Sequence, residues 1–559
     1  MKSLLLLPIF LLFINVSAQK RMTNAVKITY LKSSNGTLLE NQDPILIFAD
    51  QDQTIVTSQK TISKSAIIPI ERSYIDRKNG YFLQHAQLSG KAVVTVDSTS
   101  IAKQVFELMP ETKMILGYKC SKAKTIINSN TIELWYTNDL KIKAAPTSLG
   151  QNLGLVLEVT RNGNYTIAAQ KIEKLKAIPA GLWNVKGAIP VDLLTYRDVL
   201  WKSRFVQLDV FRQEIINFSE ASKSNDSILR FAKGTIIVRK MVLPKIAKGS
   251  QVFLDVTEQS NGDAYDRTGS VFLIPTDKEI SFFAGLNANA KQLPVYDNGN
   301  GKQYQGVVIT DNYLPLIELM RFFTPFGIKQ YNTIQLKNKT WQDSVYYRQD
   351  ISEFIPMMSG KAIWVGINIG NYDNGGHKVS AAITIHPKDG SVKMPGNFIL
   401  PLFNTNNIME MAGQEYATMF NVDKGLEVSF TLETDVKNAI LRYITTGHGG
   451  WENGDEFLQK TNTIVLDGKE KYQFIPWRMD CGSYRSYNPA SGNFNNGLSS
   501  SDYSRSNWCP GTVTNPEFIA LGDLKAGKHT IQVKIPQGAP EGGSFSSWNV
   551  SGVLIGIKE

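Results

Sequence analysis

Nearly all the regular hydrophobic patterning in this chain has a period of two, and that limits what it can fold into more than any other feature. Val26-Lys27-Ile28-Thr29-Tyr30, Thr131-Ile132-Glu133-Leu134-Trp135-Tyr136 and the run from Leu426 to Leu432 alternate or run apolar over strand-length stretches. Between such segments lie Asn35-Gly36, Asn162-Gly163, Asp389-Gly390 and Asp467-Gly468, pairs that tolerate the positive φ of tight hairpin turns. Helical spacing stands out only over Val191 to Phe205, where Leu193, Leu194, Tyr196, Val199, Leu200 and Phe205 share a face. Many short strands with turns between them predict an all-β protein of sandwiches or barrels rather than α/β layers. At 559 residues the chain exceeds one ordinary domain. The polar stretch Ser219 to Ser227 is the best linker, and a second junction is expected near Lys393-Met394-Pro395-Gly396-Asn397. The expected division is a β-rich domain over 19–220 and two further β-domains over 234–398 and 399–559.

The first residues predict export. Lys2 precedes an apolar run from Leu4 to Ile14, followed by Val16-Ser17-Ala18. A charged start, an apolar run too short to cross a bilayer and a small-residue site make a signal peptide over 1–18, cut after Ala18. No Cys follows that site and no later apolar run is long enough to span a membrane, so the expected product is exported (periplasmic, cell-surface or extracellular), without a transmembrane segment and monomeric. The net charge of +10 comes from scattered lysines with no basic run of five, so nucleic acid is not an expected partner. Of three cysteines, Cys481 and Cys509 could close a loop of 27 intervening residues, worth about 3 kcal/mol on the loop-entropy model. Cys120 is then expected as a buried thiol. Three free thiols are the alternative.

Chemistry concentrates in a few places. The stretch Thr446-Gly447-His448-Gly449-Gly450-Trp451-Glu452-Asn453-Gly454-Asp455-Glu456-Phe457 crowds glycines and aromatics around carboxylates, and Arg505-Ser506-Asn507-Trp508-Cys509-Pro510-Gly511 follows it. Upstream stands Asp263-Ala264-Tyr265-Asp266-Arg267. Glycine lets backbone approach a ligand, Trp offers a stacking face, and Glu and Arg supply charge. Taken singly, Asp266-Arg267 reads as a turn with a surface ion pair, Glu456 as a solvated loop acid, His448 as structural and Trp508 as packing around a disulfide.

Taken in order, these landmarks resemble the peptide-N-glycosidase F family from about Gly234 to Glu559. Arg321-Phe322-Phe323-Thr324-Pro325 is similar to the family's Arg-Phe-x-Thr-Pro segment, and Arg505 to Gly511 is the nearest match. The resemblance implies two side-by-side eight-stranded jelly rolls with a site in the cleft between them, and a secreted amidase that frees N-linked glycans from asparagine. It implies catalytic Asp266 and Glu456, and substrate contacts from Tyr265, Arg267, His448, Arg505 and Trp508. It also implies a Cys481–Cys509 disulfide and requires no metal or cofactor. Asn368 in Ile367-Asn368-Ile369 falls where the family has a third acid. Asn keeps hydrogen bonding but loses charge, so altered turnover is expected there. The stretch from Ala284 to Met320 is longer than the family's and is expected to reshape the cleft. Ile115-Leu116-Gly117-Tyr118-Lys119-Cys120, Trp135-Tyr136-Thr137 and Gly154 to Glu158 make the N-terminal region similar to the GLPGLI family, or to the bowl-like domain of some amidase relatives.

Two rival classes remain at this level. A homologue that binds glycans or proteins without cutting would fit Asn368. A copper monooxygenase with paired jelly rolls needs His clusters, and the five histidines (His85, His377, His386, His448, His529) include no close pair, so it is rejected. Ser/His/Asp and zinc motifs are absent as well.

Overall fold

The computed structural model describes residues 25–331, 336–387, 396–449, 453–489, 499–540, 542 and 544–558. The expected leader, the turn at Asp389-Gly390, Trp451, Glu452 and residues 393–395 of the expected junction lie outside them. The chain forms two compact units, Met1–Arg204 and Phe205–Glu559. No helix among the described residues is long and apolar enough to cross a membrane.

The first unit is built on one continuous sheet whose central strand, Ala25–Ser34, pairs antiparallel with Ile45–Ala49 and Tyr165–Leu175. The alternation read in that strand buries Val26, Ile28 and Tyr30, which cluster with Ile47, Leu155, Leu157 and Cys120. Cys120 is free and buried, and burial pushes its thiol up to about 11. The predicted helix forms as Leu193–Lys202, capped by Asp192, which accepts from the Thr195 amide at 3.0 Å. It buries Tyr196 against Ala86, Leu88 and Val93.

The second unit is two antiparallel sandwiches. In the first, a sheet of Val206–Ile216, His377–His386, Gln251–Ser260 and Val345–Asp350 faces a six-stranded sheet. The six include Ile236–Val242, Ala362–Ile369, Thr268–Leu273 and Ile317–Phe323, extended at the edges by the short Leu229–Phe231 and Val513–Thr514. In the second, Phe398–Asn404, Ser547–Lys558, Val436–His448 and Glu517–Leu524 face Leu426–Leu432, Gly527–Lys534, Asn462–Leu466 and Lys469–Phe474. Leu426–Leu432 shows the rule most plainly: Leu426, Val428, Phe430 and Leu432 are buried and the residues between them exposed. This all-β pair of jelly rolls is the architecture that the resemblance implied.

The boundary expected at residue 220 moves. Val206–Ile216 pairs with His377–His386 and buries Val210, Phe211 and Ile216 in the first sandwich, so that sandwich begins before the polar stretch. Ser219 to Ser227 is therefore a loop within the unit, stitched by Ser219 N–H to Lys233 O and Phe218 N–H to Asp373 O. The stretch between 284 and 320 leaves the first sandwich and straps onto the second. Tyr296 donates to Gly425 O, Asn298 to Met419 O, and Gln305 accepts from Gln414 Nε2 and from Glu415 N–H.

Candidate active site

Two of the sequence landmarks are stitched together in the first sandwich. Arg267 N–H donates to Thr324 Oγ1 at 2.8 Å, Thr324 N–H to Arg267 O, and Gly327 N–H to Ala264 O. The Arg321 to Pro325 segment thus holds the loop that presents Asp266. In the second sandwich, Asp455 anchors its loop: Oδ2 accepts from Gly538 N–H and Trp548 Nε1, each within 2.9 Å. Ser506 N–H donates to Glu456 O, and Ser506 Oγ to Asp455 O. A Cβ on Gly447 would lie 2.7–2.8 Å from Trp548, Asp455 O and Ser506, so only glycine lets these three segments close.

Asp266 and Glu456, one from each sandwich, meet on one nitrogen. Arg505 Nη1 donates to Asp266 Oδ2 at 3.0 Å and to Glu456 Oε1. The guanidinium is sealed: Nη2 donates to Ser500 O at 2.6 Å and to Ser500 Oγ, and the rings of Trp508 and Phe457 cover it. Burial raises both carboxyls despite Arg505, and the Asp266 charge adds to the rise of Glu456, which reaches about 8. Two acids on one cation retain a proton at neutral pH.

Asp266 opens on a cleft of about 210 Å³ whose wall includes Arg267, Ser270, Asn368, Asn406, His448 and Asn549. His448 is pushed down to about 3 by burial, with Arg321 and Arg505 adding, so it is neutral and shares a hydrogen bond with Thr446 Oγ1 at 2.9 Å. Asn368 spends its amide on Thr235 O at 3.0 Å and Ile408 O at 3.4 Å. An acceptor-only carboxylate would have nothing to give those carbonyls. Arg267 lies over the rings of Tyr265 and Tyr372 and is gripped by Asp263 at 2.6 and 3.1 Å. Tyr265 is 53% exposed beside it. Among the described residues no cluster of His, Cys, Asp or Glu is arranged to hold a metal ion.

Two residues expected to contact substrate are enclosed by the protein. Trp508 is 3% exposed, stacked on Phe323 at 4.2 Å, and donates Nε1–H to Gly447 O at 3.0 Å, so it offers no face to a sugar. Arg505 is equally enclosed, its guanidinium taken up by Asp266, Glu456 and Ser500. Cys481 and Cys509 are joined, which ties the Cys481–Tyr487 turn to the segment carrying Arg505.

Sequence reasoning missed three groups. Glu318, fully buried, accepts from Ser270, Asn406, Ser551 and Arg321. Burial opposes its charge, but Arg321 and these donors hold it ionised. A Glu inside the apolar strand Ile317–Phe323 was the available signal. Half-exposed Tyr372 and Tyr416 both donate to Glu410 Oε1, and Glu410 and Tyr416 line the cleft, with no local pattern to announce them. Asp263 and His377, behind Arg267, make the third group.

Known proteins resemble this chain over its whole described length. Family profiles match residues 28–198 as the N-glycanase peptide N-terminal domain, 207–385 as the peptide-N-glycosidase F N-terminal domain and 415–555 as its C-terminal domain. Two crystal forms of PNGF-II are each 56% identical and cover 96% of this chain, with 100% and 98% of their own length covered and TM-scores of 0.88 and 0.86. PNGase F from Flavobacterium meningosepticum, described as a glycosylasparaginase, is 15% identical over 63% of this chain and 94% of its own, with a TM-score of 0.40. No curated protein sequence matches.

Proposed function

The chain belongs to the peptide-N-glycosidase F family, and from that premise we propose that it hydrolyses the amide joining N-acetylglucosamine to asparagine in N-linked glycoproteins or glycopeptides. The observation that carries this reading is the pair Asp266 and Glu456, brought from separate sandwiches to one guanidinium at the edge of a polar cleft. Asp266, ionised, takes a proton from water as its oxygen adds to the side-chain carbonyl carbon of asparagine. Glu456, holding the shared proton, gives it to the nitrogen as the C–N bond breaks. The products are an aspartate in the peptide and a glycosylamine, and the proton on Asp266 returns to the pair. Arg505 keeps the two carboxyls together and moderates their charge. Arg267, Tyr265 and neutral His448 bind the sugar, and the Tyr372–Glu410–Tyr416 rim extends that surface. The chemistry needs no cofactor. The leader-like first residues and the disulfide support action outside the cytoplasm.

Glycan release from a denatured N-glycoprotein, with mass spectrometry of the peptide, tests the reading. Free glycan and an Asn-to-Asp conversion are expected from the native protein, with a loss of about 10³-fold or more in Asp266→Asn. Absence of release from the correctly folded native protein across several glycan types would leave a glycan-binding homologue instead.

A further inference from the structure

The inward face of the first sandwich reads Val252, Leu254, Val256, Glu258 along Gln251–Ser260 and His377, Val379, Ala381, Ile383, Ile385 along His377–His386. Alternation therefore places a carboxylate and an imidazole where two more apolar side chains are due. Both are fully buried, with His377 Nδ1 2.8 Å from Glu258 Oε1. On its other side His377 Nε2 lies 3.4 Å from Oδ2 of Asp263, itself only 2% exposed. Asp263 in turn takes Nε–H and Nη2–H of Arg267 at 2.6 and 3.1 Å. Four groups thus run from the dry interior to the cleft wall. Burial works against charge on His377, but the flanking carboxylates of Asp263 and Glu258 outweigh that and hold it up at about 9. Burial also works against charge on Asp263, yet His377 and Arg267 hold it well below the ordinary carboxylate range.

A buried chain of charges is a poor way to fill a core, since a well-packed apolar pair is generally as stable or more so. What an apolar pair could not do is restrain Asp263 from behind. Arg267 has a long flexible stem, and apart from two tyrosine rings Asp263 is what restrains its guanidinium. We propose that His377 is a positioning residue: by bridging Glu258 and Asp263 it sets the angle at which Arg267 faces the cleft. This rests on reading the cleft as the glycan site.

The test is a double-mutant cycle on glycopeptide hydrolysis with His377→Gln, Arg267→Gln and both together. His377→Gln is expected to raise KM about tenfold with kcat within about twofold, the signature of lost substrate binding. In the Arg267→Gln background the same change is expected to add nothing. Additive losses, or no effect of His377→Gln alone, would overturn the proposal. Glu258→Gln, with thermal melts of every variant, guards against a simple folding failure and is expected to shift KM in the same direction. Should the native protein cleave no glycopeptide, the amidase reading fails by itself and a crystal structure of His377→Gln decides. An Arg267 guanidinium displaced from Asp263 supports the proposal, and one left in place refutes it.

Discussion

Replacing Glu456 by Gln isolates the proton that the carboxyl pair is argued to hold. The carboxyl rises from 4.5 to about 8 through burial and the Asp266 charge, so ionising it in place costs up to about 5 kcal/mol, at about 1.4 kcal/mol per tenfold in acidity. The sign follows from linkage: a raised carboxyl contributes stability below its unfolded value and loses it as pH climbs through the folded one. Native protein should therefore lose stability progressively from about pH 4.5 to about pH 8 and hold level above that. Glu456→Gln resembles the protonated acid in shape and has no proton to lose, so it should escape that loss. His377 also titrates near 9, but it is common to both proteins and cancels in the comparison. Thermal melts every half unit from pH 6 to 9.5 read the difference, with each kcal/mol worth about 2 °C in a unit of this size. A gap widening by about 5 °C between pH 6 and 8 and level above is expected, Glu456→Gln being the more stable. At pH 7 the same variant should have lost about 10²–10⁴ in kcat, because Gln delivers no proton. Parallel melting curves across the whole range would refute the shared-proton argument.

Arg505→Met would leave two buried carboxyls without their cation and should destabilise the fold by about 3–5 kcal/mol, seen as a lower urea midpoint. Trp508→Phe should leave KM for glycopeptide near native while lowering the melting temperature, because the ring packs rather than binds. Tyr416→Ala, on the exposed rim, should do the reverse. Opening the Cys481–Cys509 disulfide, which spans 28 residues of sequence, should cost about 3 kcal/mol of stability, measured by denaturation with and without reductant.

The β character was plain in the sequence because period-two patterning acts residue by residue, as Leu426–Leu432 shows, and Asp192 ahead of a helical stripe marks the longest helix among the described residues just as locally. The domain edge was harder. A polar run such as Ser219 to Ser227 has the same composition whether it joins two domains or two strands, and only the pairing of Val206–Ile216 with a strand some 170 residues later decides between them. Within the site, Asp266 and Glu456 were legible through a resemblance carried by short motifs. The enclosure of Trp508 and Arg505 was not, since a motif records which residues gather but not which of them others cover. Glu318 and His377 are readable only as interruptions of apolar strands, and what they partner is set by packing across the sheet.

Because the two carboxyls of the proposed site come from different sandwiches, their geometry is only as good as the register between those sandwiches. That register is pinned by buried charge in both directions. Arg321 of the first sandwich donates to Thr446 Oγ1 and to Asn549 O of the second, at 3.0 and 2.7 Å, while Glu318 neutralises it. Arg442 of the second sandwich donates to Glu318 O and Leu319 O of the first, and closes on Glu353 at 2.6 Å. Apolar contacts alone would hold two flat sheet faces together with similar strength but would tolerate sliding, because dispersion is indifferent to direction. Hydrogen bonds from a planar guanidinium to named carbonyls are directional, and a shift of one residue breaks all of them together. Thr446, which Arg321 grips, stands two residues before His448, and Glu318, which Arg321 pairs, holds Ser270 and Asn406 of the cleft wall. The same two arginines therefore align the halves and shape the cleft, which accounts for so much charge being kept where an apolar interface would have folded as well.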